Sequence, residues 1–163
     1  MLIDLFVSAL LLSGSALFSG LTLGYFTLET GSLKRRAKLG DVRAAAILPL
    51  RSRGNHLLTT LLLGNVAVNS VLAIFLGELA GGLAASLIAT ALIFVFGEIL
   101  PQAVISRNAL RVGSVCAPFV QALMWVSSPV TYPIARTLDR LLGEELPTLY
   151  SRHELMEIIA EHE

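Results

Sequence analysis

The chain has 163 residues, of which 55 % are hydrophobic and 15 % charged, with twelve basic and twelve acidic side chains and no formal net charge. Soluble domains carry roughly 25 % charged residues, so this composition excludes a separate soluble catalytic domain and points to an all-α integral membrane protein. The single cysteine, Cys116, excludes an internal disulfide framework and a thiolate metal site.

The first apolar run extends from Leu5 to about Leu28, long enough to cross a hydrocarbon core of about 30 Å. Asp4 precedes it in place of a basic segment, and the run is too long for a secretory signal. Ser15 and Ser19 are four residues apart, as are Gly20 and Gly24, so each pair shares a helical face. Small residues at that spacing ordinarily serve close helix packing in lipid. Glu29 to His56 is polar and basic, with Lys34, Arg35, Arg36, Lys38, Arg43, Arg51 and Arg53 against Glu29 and Asp41. Thr30-Gly31-Ser32 predicts the start of one short helix, and Ala44 to Leu50 a second that stops near Pro49. So basic a loop is expected on the cytoplasmic side, which leaves the N-terminus outside. A nucleic-acid surface is disfavoured because no aromatic residues alternate with these bases.

A second apolar run, Leu57 to Leu79, carries Asn65, Asn69 and Glu78; Gly81-Gly82 predicts a tight outer turn. The third run, Gly82 to Ile105, returns to Arg107 and Arg111 at the cytoplasmic face. Val112 to Leu142 is apolar enough for a fourth crossing. However, basic residues flank it at both ends (Arg107 and Arg111, then Arg136 and Arg140), and Pro118, Pro129 and Pro133 interrupt it. The positive-inside tendency opposes a single crossing with such flanks. The expectation is therefore three transmembrane helices, a cytoplasmic helical pair, and a proline-kinked in-plane segment at the membrane surface, where Trp125 and Tyr132 would suit the interface. Residues 1–145 form this membrane domain. Residues 146–163 read as the start of an acidic, cytosolic helical linker: Ser151 and Glu154 match a helix-capping pattern, and the natural protein is expected to continue beyond it.

Chemistry concentrates at Phe96-Gly97-Glu98-Ile99-Leu100-Pro101-Gln102. A charged side chain at membrane depth costs roughly 2.5–3.5 kcal/mol on insertion scales, and is a functional hypothesis by default. Pro101 has no N–H for the carbonyl of Gly97, so a bare backbone oxygen lies beside the Glu98 carboxylate at a predicted kink. Asn65 and Asn69 share one face of the second span, and Ser19, with Ser15 one turn away, comes from the first. These oxygens fall at comparable depths, with no imidazole or thiolate among them. Such a set selects hard cations, Mg²⁺, Ca²⁺ or Na⁺, over zinc or copper. Blander roles stand beside this one: asparagines in spans commonly hydrogen-bond between helices, and a buried glutamic acid can persist in its protonated form. Glu78 and His56 read as mouth and interface residues.

Three stretches, Phe18-Ser19-Gly20-Leu21, Leu61 to Ser70 and Phe96 to Ala103, resemble in order and spacing the transmembrane domain of the CNNM/CorC magnesium transporters; the resemblance covers about residues 3–145. It implies a homodimer, Na⁺-coupled Mg²⁺ export, and Mg²⁺ held at the positions of Ser19, Asn65, Asn69, Gly97 and Glu98. It also implies cytosolic CBS domains in the full-length protein and a multi-pass location in the plasma (bacterial inner) membrane. A Mg²⁺-binding sensor or scaffold without transport is the alternative. A hydrolase using Glu98 as base is disfavoured, since no His-Glu-x-x-His pattern or Ser–His pair lies within the spans.

Overall fold

The computed structural model describes residues 2–79 and 82–142. Gly81 of the expected outer turn, the domain end near residue 145 and the capping pattern at 151–154 lie outside the described residues. Those residues fold into helices alone: α1 (Leu2–Thr27), α2 (Thr30–Lys38), α3 (Val42–Arg51), α4 (Gly54–Leu79), α5 (Leu83–Leu92), a π-helical segment (Ile93–Ile99), α6 (Leu100–Arg107) and α7 (Ala109–Leu142). Among the described residues, four stretches are long and apolar enough to cross a membrane: Leu2–Thr27, Gly54–Gly77, Ser86–Arg107 and Ala109–Leu141. The protein is a multi-pass, all-α membrane protein.

The basic loop between the first two spans forms the helical pair α2 and α3. Asp41 caps α3, its Oδ1 accepting from the backbone N–H groups of Arg43 at 3.0 Å and Ala44 at 3.3 Å. The helix therefore begins at Val42, ahead of the expected Ala44, and runs through Pro49 to Arg51. Pro49 sits in the last turn, where its missing N–H removes one bond without ending the helix at once. Arg51 fixes this pair to the end of α1: its Nε donates to the Leu28 carbonyl at 3.2 Å, and its guanidinium lies 4.4 Å from the Phe26 ring centroid.

The third span contains a change of helix type where the sequence led us to expect a kink. Pro101, near the start of α6, cannot donate to the Gly97 carbonyl, and in an α-helix its ring presses on that oxygen. The turn before it widens into the π segment, in which Leu100 N–H bonds to the Val95 carbonyl five residues back. α7 also differs from a broken segment, because it is one continuous helix through Pro118, Pro129 and Pro133. These prolines are eleven and four residues apart, so they share a face, and that face is the exposed one.

The buried apolar cluster lies at one end of the bundle. It joins Phe18, Leu21 and Tyr25 of α1 and Leu33 of α2 to Ala44, Ile47 and Leu50 of α3. Leu57 and Leu61 of α4 and Ala117, Val120 and Met124 of α7 complete it. α7 is fastened to this end at two separated places. Near its start, the Tyr25 hydroxyl donates to the Gly113 carbonyl at 2.8 Å. Near its finish, Asn55 Nδ2 donates to Asp139 Oδ1 at 2.6 Å, and His56 Nε2 lies 3.0 Å from Thr131 Oγ1. Tyr25 closes α1 and Asn55 opens α4, so both ends of α7 meet the basic-loop end of the first two spans.

Candidate metal centre

Helix rise places the sequence-predicted oxygens in one slab. Counted at about 1.5 Å per residue from the basic-loop ends of their helices, Ser19, Ser15, Asn65, Asn69, Gly97 and Glu98 lie about 12–22 Å deep. α1 occupies the middle of the arrangement. On one side it packs on α4, where Phe18 fills the space over Gly64: a Cβ there would lie 2.6 Å from the Phe18 ring. On the other side it packs on the π segment and α6, with Gly20 against Ile105 and the Pro101 carbonyl, and Gly97 against Leu12 and Ser15. The small residues of α1 thus admit the third span closely, as their spacing suggests.

This approach joins α1 to the third span by two side-chain hydrogen bonds. The Ser15 hydroxyl donates to the Gly97 carbonyl at 3.4 Å, a long bond, and Gln102 Nε2 donates to Ser19 Oγ at 2.8 Å. Both serines are almost fully buried, Ser15 at 0 % and Ser19 at 2 % exposure. Among side chains, the Gly97 carbonyl therefore has a weak partner, and the Ser19 oxygen has a good one. Glu98, half-buried, makes no hydrogen bond or ion pair with any described residue.

On α4, Asn69 Nδ2 donates to Asn65 Oδ1 at 3.3 Å, so the two amides lie side by side one turn apart. Asn69 Oδ1 is buried and accepts no hydrogen bond. Such an orphan costs about 1–3 kcal/mol, and inside a bilayer no water stands ready to complete it. Among the described residues no hydrogen bond links this asparagine pair to Gly97 or Glu98. The predicted oxygens therefore fall into two groups, one on α4 and one between α1 and the third span. Among the described residues no group of three or more His, Cys, Asp or Glu side chains could hold a metal. What the slab offers is amide, hydroxyl and backbone oxygen with one carboxylate, a hard-cation set.

The family model described as the cyclin M transmembrane N-terminal domain matches residues 6–163. The chain belongs to the cyclin M (CNNM) transmembrane domain family. The metal transporter cnnm-1 of Caenorhabditis elegans is 44 % identical over 153 residues, covering 91 % of this chain and 19 % of that protein. A DUF21 domain-containing protein of Arabidopsis thaliana is 42 % identical over 164 residues, 98 % of this chain and 39 % of its own length. Protein MAM3 of Saccharomyces cerevisiae is 41 % identical over 162 residues, with coverage of 96 % and 23 %. The chain thus spans well under half the length of these curated relatives.

Sequence reasoning gave no role to one polar residue of this cyclin M domain that touches the site. Gln102 lies four residues after Glu98, on the same helical face, and its amide reaches the first span. That spacing was the available signal. The fastening of α7 through Asn55, His56, Thr131 and Asp139 was also unmarked, because those residues lie 75 and 84 positions apart.

Proposed function

We infer that this cyclin M domain carries Mg²⁺ across the membrane, as cargo bound in dehydrated form between the first three spans. The observation that carries the reading is that the buried, unpartnered Asn69 Oδ1 and an unpaired carboxylate, Glu98, both lie within the slab about 12–22 Å deep. In lipid, each of these groups needs a partner that the described residues do not supply, and a small divalent cation serves both. Glu98 would give the charge. Asn65, Asn69 and Ser19 would give neutral oxygens, and Gly97 a carbonyl that Pro101 leaves free. A single carboxylate leaves net positive charge on the bound ion, so binding stays weak enough for release. The name of the worm relative, a metal transporter, agrees with this reading.

In the same proposal, α1, α4 and the α5–α6 segment cross the membrane with the N-terminus outside, and α7 lies along the cytoplasmic interface. Attachment of both ends of α7 to the same end of α1 and α4 favours this arrangement. At about 50 Å for its 34 residues, α7 is also longer than the hydrocarbon core needs. The domain works as a homodimer in the plasma (bacterial inner) membrane, is not an enzyme, couples Mg²⁺ export to Na⁺ entry near Ser15, and is followed by cytosolic CBS domains. Purified full-length protein in sealed vesicles tests the function. Mg²⁺ flux that depends on an imposed Na⁺ gradient and disappears in Glu98→Ala supports the reading. Mg²⁺ binding with no flux under any gradient would instead make the domain a sensor or scaffold.

A further inference from the structure

We propose that Gln102 is a positioning residue that competes with the cation for the Ser19 oxygen, and so sets how readily the ion leaves. The proposal rests on the Mg²⁺ reading above and deepens it. Three observations carry it. First, Gln102 Nε2 donates to Ser19 Oγ at 2.8 Å, the shortest of the side-chain hydrogen bonds between α1 and the third span. Second, Ser19 is 2 % exposed, so no water competes for that oxygen and the amide N–H is its principal polar neighbour. Third, Gln102 stands one helical turn after Glu98, so the competing N–H and the charged ligand share one face of the third span.

The chemistry follows from what a hydroxyl can do. Ser Oγ has two lone pairs and one proton. An amide N–H pointing at that oxygen presents positive charge to it, as a cation does, and each weakens the hold of the other. In the absence of an ion, the N–H keeps Ser19 satisfied and the first and third spans joined. When an ion enters, the amide must turn aside or yield part of the oxygen, and when the ion leaves the amide returns. The unloaded state is stabilised at the expense of the loaded one, which suits a carrier that must let go of a divalent ion. The other donor at the interface, Ser15 on the Gly97 carbonyl at 3.4 Å, is too long to contribute much in the same way.

The test is a Mg²⁺ titration of the full-length protein in detergent, comparing wild type, Gln102→Leu, Ser19→Ala and the double variant. Leucine keeps the volume and removes the N–H. Gln102→Leu should bind Mg²⁺ more tightly by about threefold to tenfold, the ratio an ordinary hydrogen bond carries. Its release of Mg²⁺ should slow correspondingly. The gain should vanish when Ser19→Ala is already present, which a merely structural role for Gln102 does not predict. Gln102→Asn, in which a shorter amide falls away from Ser19, should behave like leucine. Unchanged or weaker binding in Gln102→Leu, or a gain that persists without the Ser19 hydroxyl, overturns the proposal and leaves the metal centre standing. Failure of the wild type to bind Mg²⁺ removes the metal centre, and the competition with it.

Discussion

Replacing Gly97 by alanine adds a methyl group where the third span lies closest to α1. The new Cβ would lie 3.0 Å from Ser15 Oγ and 3.2 Å from Leu12 Cδ1, so one of those neighbours must give by a few tenths of an ångström. If Ser15 rotates away, its bond to the Gly97 carbonyl is lost, at about 0.5–1.5 kcal/mol. If the helices part instead, overpacking costs about 1–3 kcal/mol. Gly77→Ala is the matched control, because nothing lies within 4 Å of a Cβ there. Both substitutions gain about 0.5–1 kcal/mol of helix preference, so that gain cancels in the comparison. Gly97→Ala should therefore be less stable than Gly77→Ala by about 0.5–3 kcal/mol in thermal melting of detergent-solubilised protein. Mg²⁺ tolerates little error in its near-ideal octahedral geometry. A shifted carbonyl should thus also weaken Mg²⁺ binding about tenfold, against no change for Gly77→Ala. Equal melting and equal Mg²⁺ affinity in the two variants would refute the close approach and the carbonyl's part in the site together.

Glu98→Ala should abolish Mg²⁺ binding in a direct titration while the oligomeric state by light scattering stays that of the wild type. Tyr25→Phe removes the hydroxyl on the Gly113 carbonyl and should cost about 1 kcal/mol of stability without altering Mg²⁺ affinity, since Tyr25 lies in the apolar cluster away from the slab. Trp125 is the only tryptophan and lies at the middle of α7. In-plane α7 predicts that lipids brominated near the headgroup quench its fluorescence most, and strongest quenching by bromines at the chain ends would mean that α7 crosses.

The spans and the basic helical pair were legible because apolar run length and Lys/Arg placement are local properties. The candidate oxygens stood out for the same reason: a carboxylate, two asparagines and a proline inside apolar runs need no knowledge of the fold. What the sequence did not show depends on contacts. Apolar periodicity does not distinguish an i→i+4 from an i→i+5 ladder over seven residues, so the π segment before Pro101 was visible only as an expected kink. The prolines of α7 read as interruptions one at a time. The helix continues through them because they share one exposed face, where the lost bonds meet no packing constraint. The division of the oxygens between α4 and the α1–third-span contact, and the hold of Gln102 on Ser19, follow from which helix α1 meets on each side, and no spacing rule states that.

The most direct measurement is a density map of the protein with Mg²⁺ at a resolution that shows ligand oxygens. The account predicts one ion between α1, α4 and the π segment, with Asn69 Oδ1, the Gly97 carbonyl and a Glu98 oxygen each about 2.1 Å away. A Glu98 side chain turned to lipid or cytosol in that map, with Asn69 still unpartnered, would contradict it.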